Sequence, residues 1–173
     1  GLVGDTLLEH RQQRIRPIRR DSGPVQEVVE SGDEVDVRKL PLVVHSEKDA
    51  GPYITAGLVI ARDPQSGSHN VSFNRMMLRG PAEMGIRMMP PQHLGQIYER
   101  ATVGGRALEV AVALGNHPAE LIAGATSIAF GDDEFALAGA LRGEPLEMVK
   151  CLTVDLDVPA NAEIVLEGEV LPA

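Results

Sequence analysis

The chain has 173 residues, 43% of them hydrophobic but only 3% aromatic, and carries a formal charge of −9 from 16 basic and 25 acidic side chains. That length suits one domain with an aliphatic core, while the acidic balance and scarce aromatics exclude a surface built on phosphate neutralisation or base stacking. Cys151 is the only cysteine, which excludes an internal disulfide. With no apolar run of the roughly 18 residues that span a bilayer and no signal pattern, a cytoplasmic protein is expected.

Residues 1–24 open with a helical pattern and end at the turn signal Asp21-Ser22-Gly23-Pro24, so they are expected to be a lead-in helix or linker to a domain over 25–173. This lead-in holds Arg11, Arg14, Arg16, Arg19 and Arg20 against Asp5 and Glu9. It reads either as a solvated helix or as a basic arm for a partner. Short strands are expected over Val25–Val29, Val35–Val37 and Tyr53–Ala61. The stretch Asp63-Pro64-Gln65-Ser66-Gly67-Ser68 has hairpin chemistry and joins Ile54–Ala61 to a strand over Asn70–Leu78.

Pro90-Pro91 opens a helix that runs to about Val103 and closes at Gly104-Gly105. Leu108–Leu114 is a continuous apolar run and reads as a buried strand. His117-Pro118 starts a helix to about Ala125. Asp132-Asp133-Glu134 starts another to about Leu141, with Gly143 as its stop and acids favoured in its first turn. Met148–Val154 and Ala162–Leu171 finish as strands. Strands that do not alternate strictly with helices indicate a mostly β, α+β barrel or sandwich rather than a doubly wound sheet.

The chemistry concentrates where polar residues interrupt apolar patterns. Asn70-Val71-Ser72-Phe73-Asn74-Arg75 puts two asparagines and an arginine into a strand, and an unpaired buried polar group costs about 1–3 kcal/mol. With Gln92-His93 and Asp132-Asp133-Glu134, the pattern suggests an amide, an imidazole and a carboxylate around a buried arginine. Asn70, His93 and Glu134 would suit a hard divalent cation such as Mn²⁺ or Mg²⁺. Equally, Asn70 could cap the turn, His93 could sit on the surface of a helix, and Glu134 could serve the helix dipole. Arg75 is either half of a structural ion pair or a bidentate clamp for a carboxylate. Asn70 and Arg75 lie an odd number of residues apart, so a regular strand would send them to opposite faces, and a bulge or a strand end must intervene if they share a site. Gly57, near Thr55, marks a bulge or a close approach. Cys151, in an apolar run, reads as a buried inert thiol rather than a nucleophile.

These residues resemble a known family, the UbiD-like decarboxylases. The likeness rests on Gly51-Pro52-Tyr53-Ile54-Thr55-Ala56-Gly57, on 63–75, on Pro91-Gln92-His93, on Asp133-Glu134 through Gly139-Ala140-Leu141-Arg142-Gly143, on Val149-Lys150-Cys151, and on Val158-Pro159-Ala160 with Glu163-Ile164-Val165-Leu166-Glu167-Gly168. The resemblance implies an α+β, mostly β fold, a split β-barrel like that of flavin reductases with inserted short helices. It implies prenylated FMN as cofactor and reversible, non-oxidative decarboxylation of an aromatic or α,β-unsaturated carboxylic acid. Asn70, His93 and Glu134 would hold Mn²⁺ or Mg²⁺ against the flavin phosphate. Thr55, Phe73, Asn74, Arg75 and Gln92 would contact flavin or substrate, with Arg75 as the catalytic arginine. The backbone at Val71, Ala123, Gly124 and Thr126 would hold K⁺. The implied partners are a small-molecule carboxylic acid, a flavin prenyltransferase as cofactor source, and further copies in a homo-oligomer of the longer parent enzyme.

One departure bears on mechanism. The family's loop with both catalytic glutamates follows the Glu-Ile-Val-Leu-Glu-Gly strand, whereas this chain ends at Pro172-Ala173. A truncated cofactor-binding domain is therefore expected, without decarboxylase activity on its own. Two other classes stay open at this point: a flavin-binding module or small subunit that works only with a partner chain, and a divalent-metal-dependent hydrolase.

Overall fold

The computed structural model describes residues 13–172. In chain order these form β1 (Ile18–Arg19), three 3-10 turns at Pro24–Gln26, Gly32–Glu34 and Val37–Lys39, then β2 (Tyr53–Ile54), β3 (Leu58–Arg62), β4 (His69–Phe73), β5 (Met76–Gly80) and β6 (Glu83–Ile86). Helix α1 (His93–Thr102), β7 (Leu108–Leu114), α2 (Pro118–Ala125), α3 (Glu134–Arg142), β8 (Glu147–Lys150), β9 (Asp157–Pro159) and β10 (Ile164–Val170) complete the order. The class is α+β and mostly β, with the strands in open sheets rather than one closed ring.

A four-stranded antiparallel sheet, ordered β10-β7-β3-β4, lies at the centre. Its inner strand β3 is apolar without alternation, and Leu58 through Ala61 are fully buried, because both faces of this sheet are covered. Leu58 and Ile60 join a cluster with Phe135, Leu137, Met148, Val149 and Val158. Val59 and Ala61 join the opposite cluster with Ile54, Met76, Leu94 and Ile97. The two-residue side-chain period of a strand thus divides one run between two cores. Helices α2 and α3 and the β1-β8-β9 sheet cover one face, while α1 and the β2-β5-β6 sheet cover the other. The hairpin around 63–68 forms as expected, in the register Ala61↔Asn70 and Leu58↔Phe73.

Several expected elements take other forms. The strand over Tyr53–Ala61 is broken at Thr55-Ala56-Gly57, and its halves belong to different sheets. Glycine is required in this break, since a Cβ on Gly57 would lie 2.7 Å from Val112 Cγ1. The strand over Asn70–Leu78 breaks likewise at Asn74-Arg75. Val25–Val29 and Val35–Val37 form no strands; 3-10 turns stand in their place, and Val28 and Val29 are exposed. Each makes an isolated backbone bond instead, Val25 N–H to the Ala160 carbonyl (3.1 Å) and Val37 N–H to the Pro81 carbonyl (2.7 Å). The final strands are shorter than expected, and β6 and β9 were not anticipated.

The lead-in helix falls partly on residues 1–12, outside the described residues. Residues 14–17 have no regular structure, and Ile18–Arg19 pairs in parallel with β8. The arginines there close on the domain's own acids: Arg14 reaches Asp132 and the Asp133 carbonyl, Arg19 pairs with Asp157, and Arg20 with Glu147. Such exposed pairs add little to stability, but they occupy the charges a docking arm would offer.

Candidate active site at the edge of the central sheet

Strand β4 is an edge strand, and that position assembles the site. Asn70, Ser72 and Asn74 follow at two-residue intervals and are linked through their side chains. Asn70 Nδ2 donates to Ser72 Oγ (3.2 Å), Ser72 Oγ donates to Asn74 Oδ1 (2.9 Å), and Asn74 Nδ2 donates to the Arg87 carbonyl (3.1 Å). Asn70 and Asn74 are buried. Because Asn70 donates through Nδ2, its carbonyl oxygen is the end left to accept or to ligate.

His93 is the first residue of α1, behind the N-cap Gln92. The preceding loop folds tightly across this turn: a Cβ on Gly95 would stand 2.3 Å from the Met89 carbonyl oxygen, which only glycine permits. The imidazole meets the Phe130 ring edge to face, with centroids 5.1 Å apart at 79°.

Glu134 opens α3 behind Asp133, whose carboxylate caps the Ala136 amide at 3.0 Å. Its side chain is only 5% exposed. Burial drives its carboxyl up to about 7, against the lowering effect of its own N–H and that of Val71, with Asp133 raising it further and Arg14 lowering it. Val71 can supply its N–H because an edge strand leaves donors outside the ladder. Glu134 Oε2 is buried without a hydrogen-bond partner among the described residues, a state that costs about 1–3 kcal/mol.

Asn70, His93 and Glu134 line one narrow cavity, with His69, Phe130 and Asp63 also on its walls. Helix α1 arrives from one core and α3 from the other, and the edge strand is where the two layers meet. No cluster of three His, Cys, Asp or Glu side chains suited to a metal occurs among the described residues. The set here is mixed: one amide, one imidazole and one carboxylate. Its oxygen and nitrogen donors, together with the orphaned Oε2, fit a hard divalent cation.

Arg75 departs from expectation. It is exposed rather than buried, has no ion-pair partner among the described residues, and lies 4.6 Å over the Tyr53 ring. The strand breaks between β4 and β5 at Asn74-Arg75, and Arg75 is not among the residues that line the cavity with Asn70. Thr55, also exposed, contacts His45 Nε2 at 3.3 Å. Phe73 packs against the core and Gln92 is exposed at the helix start. Asn74 uses both ends of its amide internally. Val71, Ala123, Gly124 and Thr126 come close where the end of α2 crosses β4; a Cβ on Gly124 would be 3.7 Å from Val71 Cγ1. Thr126 caps α2 by donating its N–H to the Ala123 carbonyl at 3.1 Å. Cys151 is buried, and burial, then Glu167, push its thiol up to about 12, in keeping with an inert role. Sequence reasoning missed Tyr53, Arg100 and Phe130; the only available signal was Arg100 lying seven residues after His93, on the same helical face.

The fold and the site together define an α+β domain with a candidate cation-holding edge. Residues 16–173 match the family model described as UbiD, 3-octaprenyl-4-hydroxybenzoate carboxy-lyase Rift-related domain, and the chain belongs to the UbiD family. It is 43% identical over 136 residues to an anhydromevalonate phosphate decarboxylase of Methanothermobacter thermautotrophicus, covering 79% of this chain and 32% of that protein. Among solved structures, the UbiD-class enzyme HmfF from Pelotomaculum thermopropionicum in complex with FMN superposes with a TM-score of 0.91 at 44% identity, over 97% of this chain and 38% of that one. An evolved dimeric form of that enzyme was solved with prFMN. Vanillic acid decarboxylase from Sedimentibacter hydroxybenzoicus, in its closed form, superposes with a TM-score of 0.91 at 27% identity, over 96% of this chain and 37% of that one. The chain thus spans about a third of the length of these relatives.

Proposed function

We propose that this chain is the cofactor-holding domain of a prenylated-FMN-dependent carboxy-lyase, whose whole protein decarboxylates an aromatic or α,β-unsaturated carboxylic acid reversibly and without net oxidation. The observation that carries this reading is the buried, unpartnered Glu134 oxygen in one cavity with Asn70 and His93. The family membership favours a lyase over a metal-dependent hydrolase. Asn70, His93 and Glu134 would hold Mn²⁺ or Mg²⁺ at the flavin phosphate. The carbonyls near the end of α2, at its negative dipole end, with Val71, would hold K⁺. Bound prenylated FMN would supply the electron sink that CO₂ loss requires.

The chain's own residues then bind and orient. Arg75 holds its guanidinium carbon 4.6 Å from the centre of the Tyr53 ring, and the guanidinium N–H groups would receive a carboxylate in a bidentate pair. Thr55, Phe73, Asn74 and Gln92 are assigned to the flavin or substrate side, Asn74 by the shape of its network since its amide is already bonded. A proton at the Glu134 carboxyl must leave before a cation binds there.

The test is to produce the protein together with a flavin prenyltransferase, then record its absorbance spectrum, intact mass and metal content. The expected result is prenylated FMN and one equivalent of Mn²⁺ retained by the wild type, with both lost in His93→Ala and Glu134→Gln. A protein free of flavin and metal, whose Mn²⁺ affinity is the same in those variants, would overturn the reading.

A further inference from the structure

Along the wall of the cavity, a chain of contacts links the two elements that carry Asn70 and His93. Asp63, at the start of the β3–β4 turn, is only 1% exposed, yet it is a carboxylate. It accepts from Arg100 Nη1 (2.9 Å), from Ser66 Oγ (2.7 Å), and from the Gln65 and Ser66 amides (3.3 Å each). Burial would raise its carboxyl, but these donors outweigh that and leave it below the usual range. Arg100 lies in the last turn of α1 and covers the Phe130 ring at 4.6 Å. The same ring meets His93, in the first turn of α1, edge to face.

A buried ion pair is weak support for stability as such, and the turn at 63–68 already has glycine and two serines to form it. What the Asp63–Arg100 pair does supply is registration. Residues 93, 97 and 100 share one face of α1, and Ile97 between the two ends is buried in the core. Anchoring Arg100 on the turn that leads into β4 fixes how far α1 slides along the hairpin, hence how far His93 stands from Asn70. An imidazole is also soft about its second side-chain torsion, so its plane needs a lateral stop, and Phe130 provides it.

We propose that Arg100 and Phe130, anchored by Asp63, form a positioning layer that sets both the separation of His93 from Asn70 and the plane of the His93 imidazole. The inference rests on the reading of His93 as a metal ligand only for its functional consequence; the structural part stands on the metal-free protein.

Two measurements separate these levels. The first is Mn²⁺ affinity, read from the free-ion signal in electron paramagnetic resonance. The second is the His93 Cε1–H resonance in the metal-free protein, displaced by the ring current of Phe130. Arg100→Met and Phe130→Leu are expected to weaken Mn²⁺ binding by about 10- to 100-fold, as loss of ligand-orienting groups does, and Arg100→Met, which keeps the Phe130 ring, is expected to move the His93 resonance toward its unfolded position. Arg100→Lys should recover part of both. Val158→Ala, a cavity in the opposite core, should lower the melting temperature while leaving affinity and resonance unchanged. If Arg100→Met and Phe130→Leu only lower the melting temperature, as Val158→Ala does, and His93 keeps its resonance in Arg100→Met, the positioning layer is refuted. Should the wild type bind no Mn²⁺, the metal reading fails and the resonance alone decides the positioning.

Discussion

Two glutamates in this protein have opposite fates. Glu167 on β10 accepts from the Leu152 and Thr153 amides (2.9 and 2.6 Å) and from Thr153 Oγ1 (2.6 Å), stapling the loop between β8 and β9. Burial would raise its carboxyl, but these donors outweigh it and leave it below the usual range. Glu134 on α3 also meets backbone donors, yet one oxygen stays unpartnered and its carboxyl rises to about 7. The first is a structural carboxylate whose needs the chain meets itself. The second keeps a buried oxygen that no described residue satisfies, and the proposed cation site rests on that unmet need more than on residue type or burial.

Glu134→Gln should break this contrast most severely. Mn²⁺ affinity is expected to fall by about 100-fold or more, measured by titration calorimetry, because a charged ligand is lost. The same variant should alter the pH profile of the metal-free protein. Since the folded carboxyl titrates near 7 and the unfolded one near 4.5, its contribution to stability is fully present below about 4.5 and lost as pH rises through 7. That amounts to about 3 kcal/mol. Urea unfolding at pH 5 and pH 8 should show this fall in the wild type and not in the variant; parallel profiles would show that Glu134 is solvated after all.

Arg75→Ala tests the carboxylate end. Its side chain is exposed and pairs with no acid, so unfolding should shift by no more than about 0.5 kcal/mol. In the full-length protein, decarboxylation should drop by about 100-fold or more in kcat/KM, in line with loss of a charged group that meets the substrate. An equal loss of stability and activity would return Arg75 to a structural role.

Glu167→Gln sharpens the comparison from the structural side. Unfolding should become easier by about 1–3 kcal/mol as charge-assisted bonds to the loop weaken, with Mn²⁺ affinity unchanged. The smallest effect is expected at Cys151. Its thiol, held near 12 first by burial and then by Glu167, should resist iodoacetamide at pH 8 in the native wild type. In Glu167→Gln, labelling should rise by less than about tenfold, because burial remains. Rapid labelling of the wild type would contradict its buried setting.

The elements read correctly from the sequence are those whose signal is local. Leu108–Leu114 forms β7 to the residue because a continuous apolar run suits a strand with both faces covered. Pro118–Ala125 and Glu134–Arg142 form where proline, an acidic first turn and glycine punctuate the chain. The misread segments depend on distant neighbours. Nothing local reveals that the chain changes sheets at Thr55–Gly57 and at Asn74–Arg75, so that β2 and β5 pair with each other rather than extend β3 and β4. The valines at 25–29 have strand propensity, yet the segment turns at Pro24–Gln26 and makes a backbone bond from Val25 to Ala160 rather than a ladder. Arg75 was expected to be buried because its strand was expected to continue.

By itself the sequence determined the class, the helices, the hairpin, the family resemblance and the three residue types suited to a cation, since these are set by composition, spacing and short-range stereochemistry. Only the tertiary structure decided that β4 is an edge strand, that α1 and α3 reach it from opposite cores, that Arg75 rests on Tyr53 in solvent, and that one Glu134 oxygen has no partner among the described residues. Those facts depend on which segments lie side by side. Burial and hydrogen-bond satisfaction belong to such neighbourhoods rather than to any stretch of chain.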